Sequence, residues 1–146
     1  MITEDYVSFE TAKLLKEKGF PQEYDEYHSM VYNEEDYEDE YEVQRMVLET
    51  RIVKAGTLSS YPVGVPEPKC YCCTLQMAMK WLREVHNLCI EPYRTASGYL
   101  YTISKIWTGS EIYSDEFNGD DEDSGQWTTY EKACEAAIKY CLENLI

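Results

Sequence analysis

Thr74 to Tyr93 reads as an amphipathic helix running straight into a strand, and it constrains the fold more than any other stretch. Thr74 is a helix-capping residue type. Met77, Ala78, Trp81, Leu82 and Val85 recur at three- and four-residue spacing, so they share one face. Lys80, Arg83 and Glu84 fall largely on the other side. His86 and Asn87 suit the helix end, where Asn tolerates the left-handed conformation. Leu88, Cys89 and Ile90 then form a short strand, and Pro92 marks it as an edge or a strand end. This spacing places Trp81 in the core.

Val7 to Pro21 is a second well-punctuated helix. Ser8 is its N-cap, Glu10 lies in the first turn, and Val7 and Ala12 occupy hydrophobic-staple positions. Ala12, Leu14 and Leu15 supply apolar residues, Gly19 fits the left-handed closing position, and Pro21 prevents continuation. Tyr27 to Tyr32 reads as a strand, with a hairpin connection after it. In Val43 to Val53 both strand and helix spacing are present; β-branched content and the charges of Arg45, Glu49 and Arg51 on alternate positions favour a strand. Gly56 to Lys69 is a loop rich in Gly, Ser and Pro.

Gly98 to Trp107 alternates as a strand, with Tyr99, Tyr101, Ile103 and Trp107 on one face. Gly109 ends it, and Glu111 to Tyr113 returns as its partner. Thr128 and Glu131 suit a capping box before a last helix whose stripe is Tyr130, Ala133, Cys134, Ala137, Ile138, Cys141 and Leu145. The expected fold is α+β, with three helices and a mainly antiparallel sheet in the order α-β-β-α-β-β-(β)-α. At 146 residues the chain suits a single domain, 1–146, with acidic loops near 34–42 and 115–125.

Charge narrows the function. The formal net charge is −15, which disfavours direct nucleic-acid binding and anionic membrane surfaces. Glu34 to Glu42 holds seven carboxylates and Asp115 to Asp123 holds six, with no Lys or Arg in either. Removing these thirteen charges leaves −2 for the remainder, so two acidic stretches carry the excess. The simplest reading is two solvated loops. No apolar run is long enough to span a bilayer, and the start MITEDY lacks the features of a secretory signal. A cytoplasmic protein with reduced cysteines is expected.

Three pieces, VSFETAKLLKEKGF, TLQMAMKWLREVHNL and TTYEKACEAAIKYCLENLI, resemble a group of small uncharacterised proteins of gut-bacterial genomes, many carried on phages or mobile elements. The matching residues are caps and core positions. In that group an Ala-Pro pair commonly precedes the central helix, where Cys72-Cys73 stands here. The resemblance implies a phage or mobile-element origin and no particular activity.

Cys70, Cys72, Cys73, His86 and Cys89 suggest zinc ligands by type. A helix from Thr74 to His86 would hold its ends roughly 18 Å apart, too far for one tetrahedral ion. A Cys–His nucleophile would have to use His28 or His86, and no motif surrounds any cysteine. Asp121, Asp123 and Gly125 recreate part of a calcium loop, but the closing bidentate Glu is replaced by Lys132. No phosphate loop, nucleophile elbow or dinucleotide fingerprint is present. No cofactor, metal or catalytic residue is expected.

Fourteen tyrosines and three tryptophans remain, many beside the acidic stretches. Tyrosine among carboxylates makes a protein-binding surface, and the candidate contact residues are Tyr37, Glu38, Asp39, Glu40, Tyr41 and Phe117. The expected function is a non-catalytic protein acting through protein–protein contacts, with an unknown host protein as partner. The alternative is a small enzyme or ligand-binding domain with a pocket between helices and sheet.

Overall fold

The computed structural model describes residues 1–22, 28–34, 46–52, 70–116 and 118–146. The fold class is α+β, as the periodicities imply. In chain order the elements are α1 (Phe9–Glu17), β1 (His28–Glu34), β2 (Met46–Ile52), β3 (Cys70–Cys72), α2 (Leu75–His86), β4 (Leu88–Arg94), β5 (Tyr99–Lys105), β6 (Glu111–Ser114) and α3 (Tyr130–Asn144). They form two compact units, one of residues 1–7 and 74–146 and one of residues 8–73. Among the described residues all strand pairs are antiparallel, and they fall into two three-stranded sheets, β2-β1-β3 and β4-β5-β6. The short strand β3 has no sequence pattern long enough to announce it, and the Gly/Pro-rich stretch 56–69 before it lies outside the described residues.

In the unit of residues 8–73, α1 lies against β3. The Ser8 hydroxyl accepts from Thr11 N–H and caps the helix. The other end is a Schellman motif: Phe20 N–H donates to Leu15 O at 2.8 Å and Gly19 N–H to Lys16 O at 3.2 Å, with Gly19 at φ +92°. The Phe20 ring stacks on Tyr71 of β3, whose N–H is held by the Gln22 side chain at 2.8 Å. β1 and β2 pair from His28↔Ile52 to Glu34↔Met46, so Val43 to Val53 contains a strand.

In the other unit, Tyr6 bridges to Thr74, and Asp5 O accepts Leu75 N–H at 2.9 Å. Thr74 caps α2, accepting Met77 N–H, and Asn87 closes it in the left-handed conformation at φ +57°. β4 then pairs with β5 from Leu88↔Lys105 to Arg94↔Tyr99. Among the described residues it has only that one partner, and such an edge accommodates Pro92. α2 and α3 cover the face carrying Leu88, Ile90, Tyr101 and Ile103, all buried.

Three details differ from the periodicity. The buried residues of α2 are Leu75, Ala78, Met79 and Leu82, while Met77 and Val85 are 48% and 57% exposed and Trp81 is half-buried. The helix is turned by about 80° from the expected face, at 100° per residue. Leu75, Ala78, Met79 and Leu82 satisfy the same three- and four-residue spacing, and contact with both β4 and α3 selects them. Second, β5 ends at Lys105, so Ile106 and Trp107 lie in the turn closed by Gly109. Third, α3 is capped by Thr129, which accepts Lys132 N–H, because Thr128 is engaged by Asp120. Leu142 joins the buried stripe of α3, and Tyr130 is 36% exposed.

Candidate functional site

Polar and aromatic side chains converge where β6 runs into the second acidic stretch. Asp115 follows the last residue of β6, and its N–H donates to Tyr101 O at 3.0 Å, extending the ladder by one bond. Its side chain is buried, at 1% exposure. Asp115 Oδ2 accepts the Trp127 indole N–H at 2.8 Å, and Oδ1 accepts from Asn118 Nδ2 at 2.7 Å. The Tyr113 hydroxyl also engages Asp115. A carboxylate withdrawn from water needs this many partners.

The loop after Asp115 doubles back on itself. Gly119 N–H donates to Gly125 O at 2.7 Å, and Asp121 N–H to Gln126 O at 3.0 Å. Asp121 Oδ1 accepts the N–H groups of Asp123 and Ser124, an Asx turn. Trp127 then pairs with Tyr99 through two backbone bonds of 2.8 and 2.9 Å. A Cβ at Gly119 would lie 2.0 Å from the Gln126 carbonyl carbon, so only glycine fits. Asp120 accepts the N–H and hydroxyl of Thr128 and the Lys132 ammonium at 2.6 Å, which fastens the loop to the start of α3. Lys132, chiefly, and Thr128 hold the Asp120 carboxyl at about 2. Three of the six carboxylates of this stretch, those of Asp115, Asp120 and Asp121, thus bond within the loop or to the start of α3, while Glu116, Glu122 and Asp123 are exposed.

Tyrosines surround Asp115. Tyr113 stacks on Tyr140 of α3 at 3.7 Å and lies 6.0 Å from Tyr101. Burial first, and the Asp115 charge second, push the Tyr101 and Tyr113 phenols up. They stay neutral donors and are poor nucleophiles or bases near neutrality. The thiols point the same way. Burial raises Cys70 and Cys89, and lifts Cys134 to about 11 and Cys141 to about 12. A thiolate nucleophile is disfavoured at each. Among the described residues no three His, Cys, Asp or Glu are placed to hold a metal ion.

The surface chemistry lies elsewhere on this unit. Residues alternate along strands, so Cys89, Glu91 and Tyr93 of β4 and Leu100, Thr102 and Ser104 of β5 point away from α2 and α3. Tyr93 is 42% exposed, and Ile112 of β6 is 36% exposed. A bulge between Ile103 and Ser104 interrupts the β5–β6 register near Ile112. At one end of the sheet Trp107 is 83% exposed, yet its position is fixed: the indole N–H donates to Asn87 Oδ1 at 3.0 Å, and Ile106 N–H to Asn87 O at 2.9 Å. At the other end Arg94 lies over the Tyr99 ring, 5.1 Å from its centroid, and Tyr130 meets that ring edge-on.

Of the residues singled out as a contact surface, Tyr37, Glu38, Asp39, Glu40, Tyr41 and Phe117 lie outside the described residues. Sequence periodicity missed Asp115 and Trp107. Nothing local distinguishes Asp115 from the carboxylates around it, and strand alternation groups Trp107 on one face with Tyr99, Tyr101 and Ile103. The one signal for Trp107 was its closeness to Gly109, since a strand cannot carry its alternation into a tight turn. No helix among the described residues is long and apolar enough to cross a membrane. No family model matches the chain, and no curated protein or solved structure is found to be similar to it.

Proposed function

We propose that this chain is a small acidic cytoplasmic protein of phage or mobile-element origin, without catalytic activity, that acts by binding another protein. The observation that carries the binding reading is Trp107, a large apolar ring left 83% exposed and held in place by Asn87. A fixed, exposed tryptophan gives a partner a large contact area at little cost in conformational entropy. Ile112 adds exposed apolar surface near that end of the sheet, and Tyr93 is a separate exposed ring toward the other end. The polar groups best suited to chemistry, around Asp115, are taken up by bonds to one another. Origin and compartment rest on the resemblance of the three helical pieces and on the composition. In this reading the carboxylates of Glu34 to Glu42 steer a basic partner surface and speed its association.

Immobilised protein should retain a partner from bacterial lysate, and Trp107→Ala should release it while leaving the melting temperature unchanged. Retention should fall as salt rises, and should fall when the carboxylates of Glu34 to Glu42 are replaced by Gln or Asn. The same partners held equally by wild type and Trp107→Ala would overturn the role of the tryptophan.

A further inference from the structure

Asn118-Gly119 is a sequence prone to deamidation, because glycine offers no side chain to shield its backbone nitrogen from the preceding carboxamide. Both residues are engaged by the fold. Asn118 Nδ2 donates to Asp115 Oδ1 at 2.7 Å and to Glu116 O at 3.3 Å. Gly119 lies so close to the Gln126 backbone that a side chain would collide. A labile pair is thus built into the loop that holds Asp115.

We propose that Asn118-Gly119 is a fold-gated modification site: exposed, but held in an unreactive geometry by its hydrogen bonds while the loop is closed, reactive when the loop opens, and unable to close properly once it has reacted. In the reaction the Gly119 nitrogen loses its proton to solvent base and attacks Asn118 Cγ. A C–N bond forms, and the carboxamide nitrogen leaves as ammonia after taking up a proton. Water then opens the cyclic imide at either carbonyl, giving aspartate or isoaspartate. The net change consumes one water and releases one ammonia, with no oxidant, reductant or enzyme.

The closed loop opposes each step. The Gly119 N–H that must be lost is donated to Gly125 O at 2.7 Å. The carboxamide that must swing toward it is held by two acceptors. Gly119 is wedged against Gln126, which restricts the rotation that would bring nucleophile and carbon together. The product disrupts the same contacts. Aspartate at 118 removes the donor to Asp115 and sets a second carboxylate beside a buried one. Isoaspartate also lengthens the backbone by a methylene, which misaligns the Gly119–Gly125 and Asp121–Gln126 bonds.

The test is peptide mapping by mass spectrometry of wild-type protein incubated at mildly alkaline pH, with and without denaturant. Asn87, which precedes Leu88, serves as an internal control. Conversion at Asn118 is expected to be at least about tenfold slower in the native protein, equivalent to a local opening of about 1.4 kcal/mol or more. Equal rates in the two conditions would overturn the gating. Protein converted in denaturant and then refolded should melt lower than its unconverted counterpart and show faster exchange of the Trp127 indole proton. An unchanged melting temperature and unchanged exchange would overturn the claim that the product holds the loop open.

Discussion

Tyr113 and Tyr140 stack face to face, their centroids 3.7 Å apart and their planes at 13°. The pair joins the outer strand β6 to α3 beside Asp115, in the part of the sheet where the ladder is interrupted by a bulge. Tyr140→Ala should therefore destabilise the protein by about 2–4 kcal/mol through lost ring burial and stacking. Denaturant unfolding checks this, with the midpoint falling at unchanged slope. Tyr140→Phe should recover most of the loss, since the contact is between rings.

The Asp120–Lys132 pair gives a defined acid response. Its folded value, about 2, lies below the ordinary 3.8. Whatever stability it contributes is present above 3.8 and is lost as pH falls through about 2. The Thr128 amide resonance should titrate near 2 by NMR and lose that transition in Asp120→Asn. A Thr128 transition that stays near 3.8 would mean that the anchor does not form.

The turned face of α2 separates two substitutions that helix periodicity alone would treat as equivalent. Leu82 is fully buried and Val85 is 57% exposed. Leu82→Ala should cost about 3–5 kcal/mol, and Val85→Ser about 0.5 kcal/mol or less. Thermal or chemical unfolding of both variants measures the orientation of the helix directly. Comparable losses would restore the Met77-Trp81-Val85 face as the core.

Asn87 serves two purposes that one substitution can separate. Glycine adopts the left-handed conformation as readily, so Asn87→Gly should terminate α2 normally and change stability by about 1 kcal/mol or less. It removes the acceptor for the Trp107 indole. The Trp107 indole proton should then exchange faster, while the fold persists. Unchanged exchange would show that the ring is held by something other than this bond.

Local signals in the sequence were enough for the ends of α1 and α2, though not for β3, the end of β5 or the cap of α3. Ser8, Thr74, Gly19 and Asn87 act where capping chemistry requires, because each satisfies backbone groups within a few residues of itself. Long-range selection was not legible. The spacing of α2 permits two overlapping apolar faces, and only contact with β4 and α3 decides between them. Asp115 is one of six carboxylates in a short run and becomes distinctive only when Trp127, twelve residues later, returns beside Tyr99. Strand alternation groups Trp107 with Tyr99, Tyr101 and Ile103, but the strand ends at Lys105, two residues before it.

The bridge between Tyr6 and Thr74 has an architectural consequence. The first seven residues belong with residues 74–146, so residues 8–73 are an insertion whose two points of attachment lie within one β-bridge. An insertion that leaves and returns at neighbouring positions imposes little strain on its host, and doubling its length adds only about 0.6 kcal/mol of closure entropy. The boundary at Val7 and Thr74 is thus where a splice is expected to succeed: a short linker across it should leave a smaller protein that keeps α2, α3 and the β4-β5-β6 sheet.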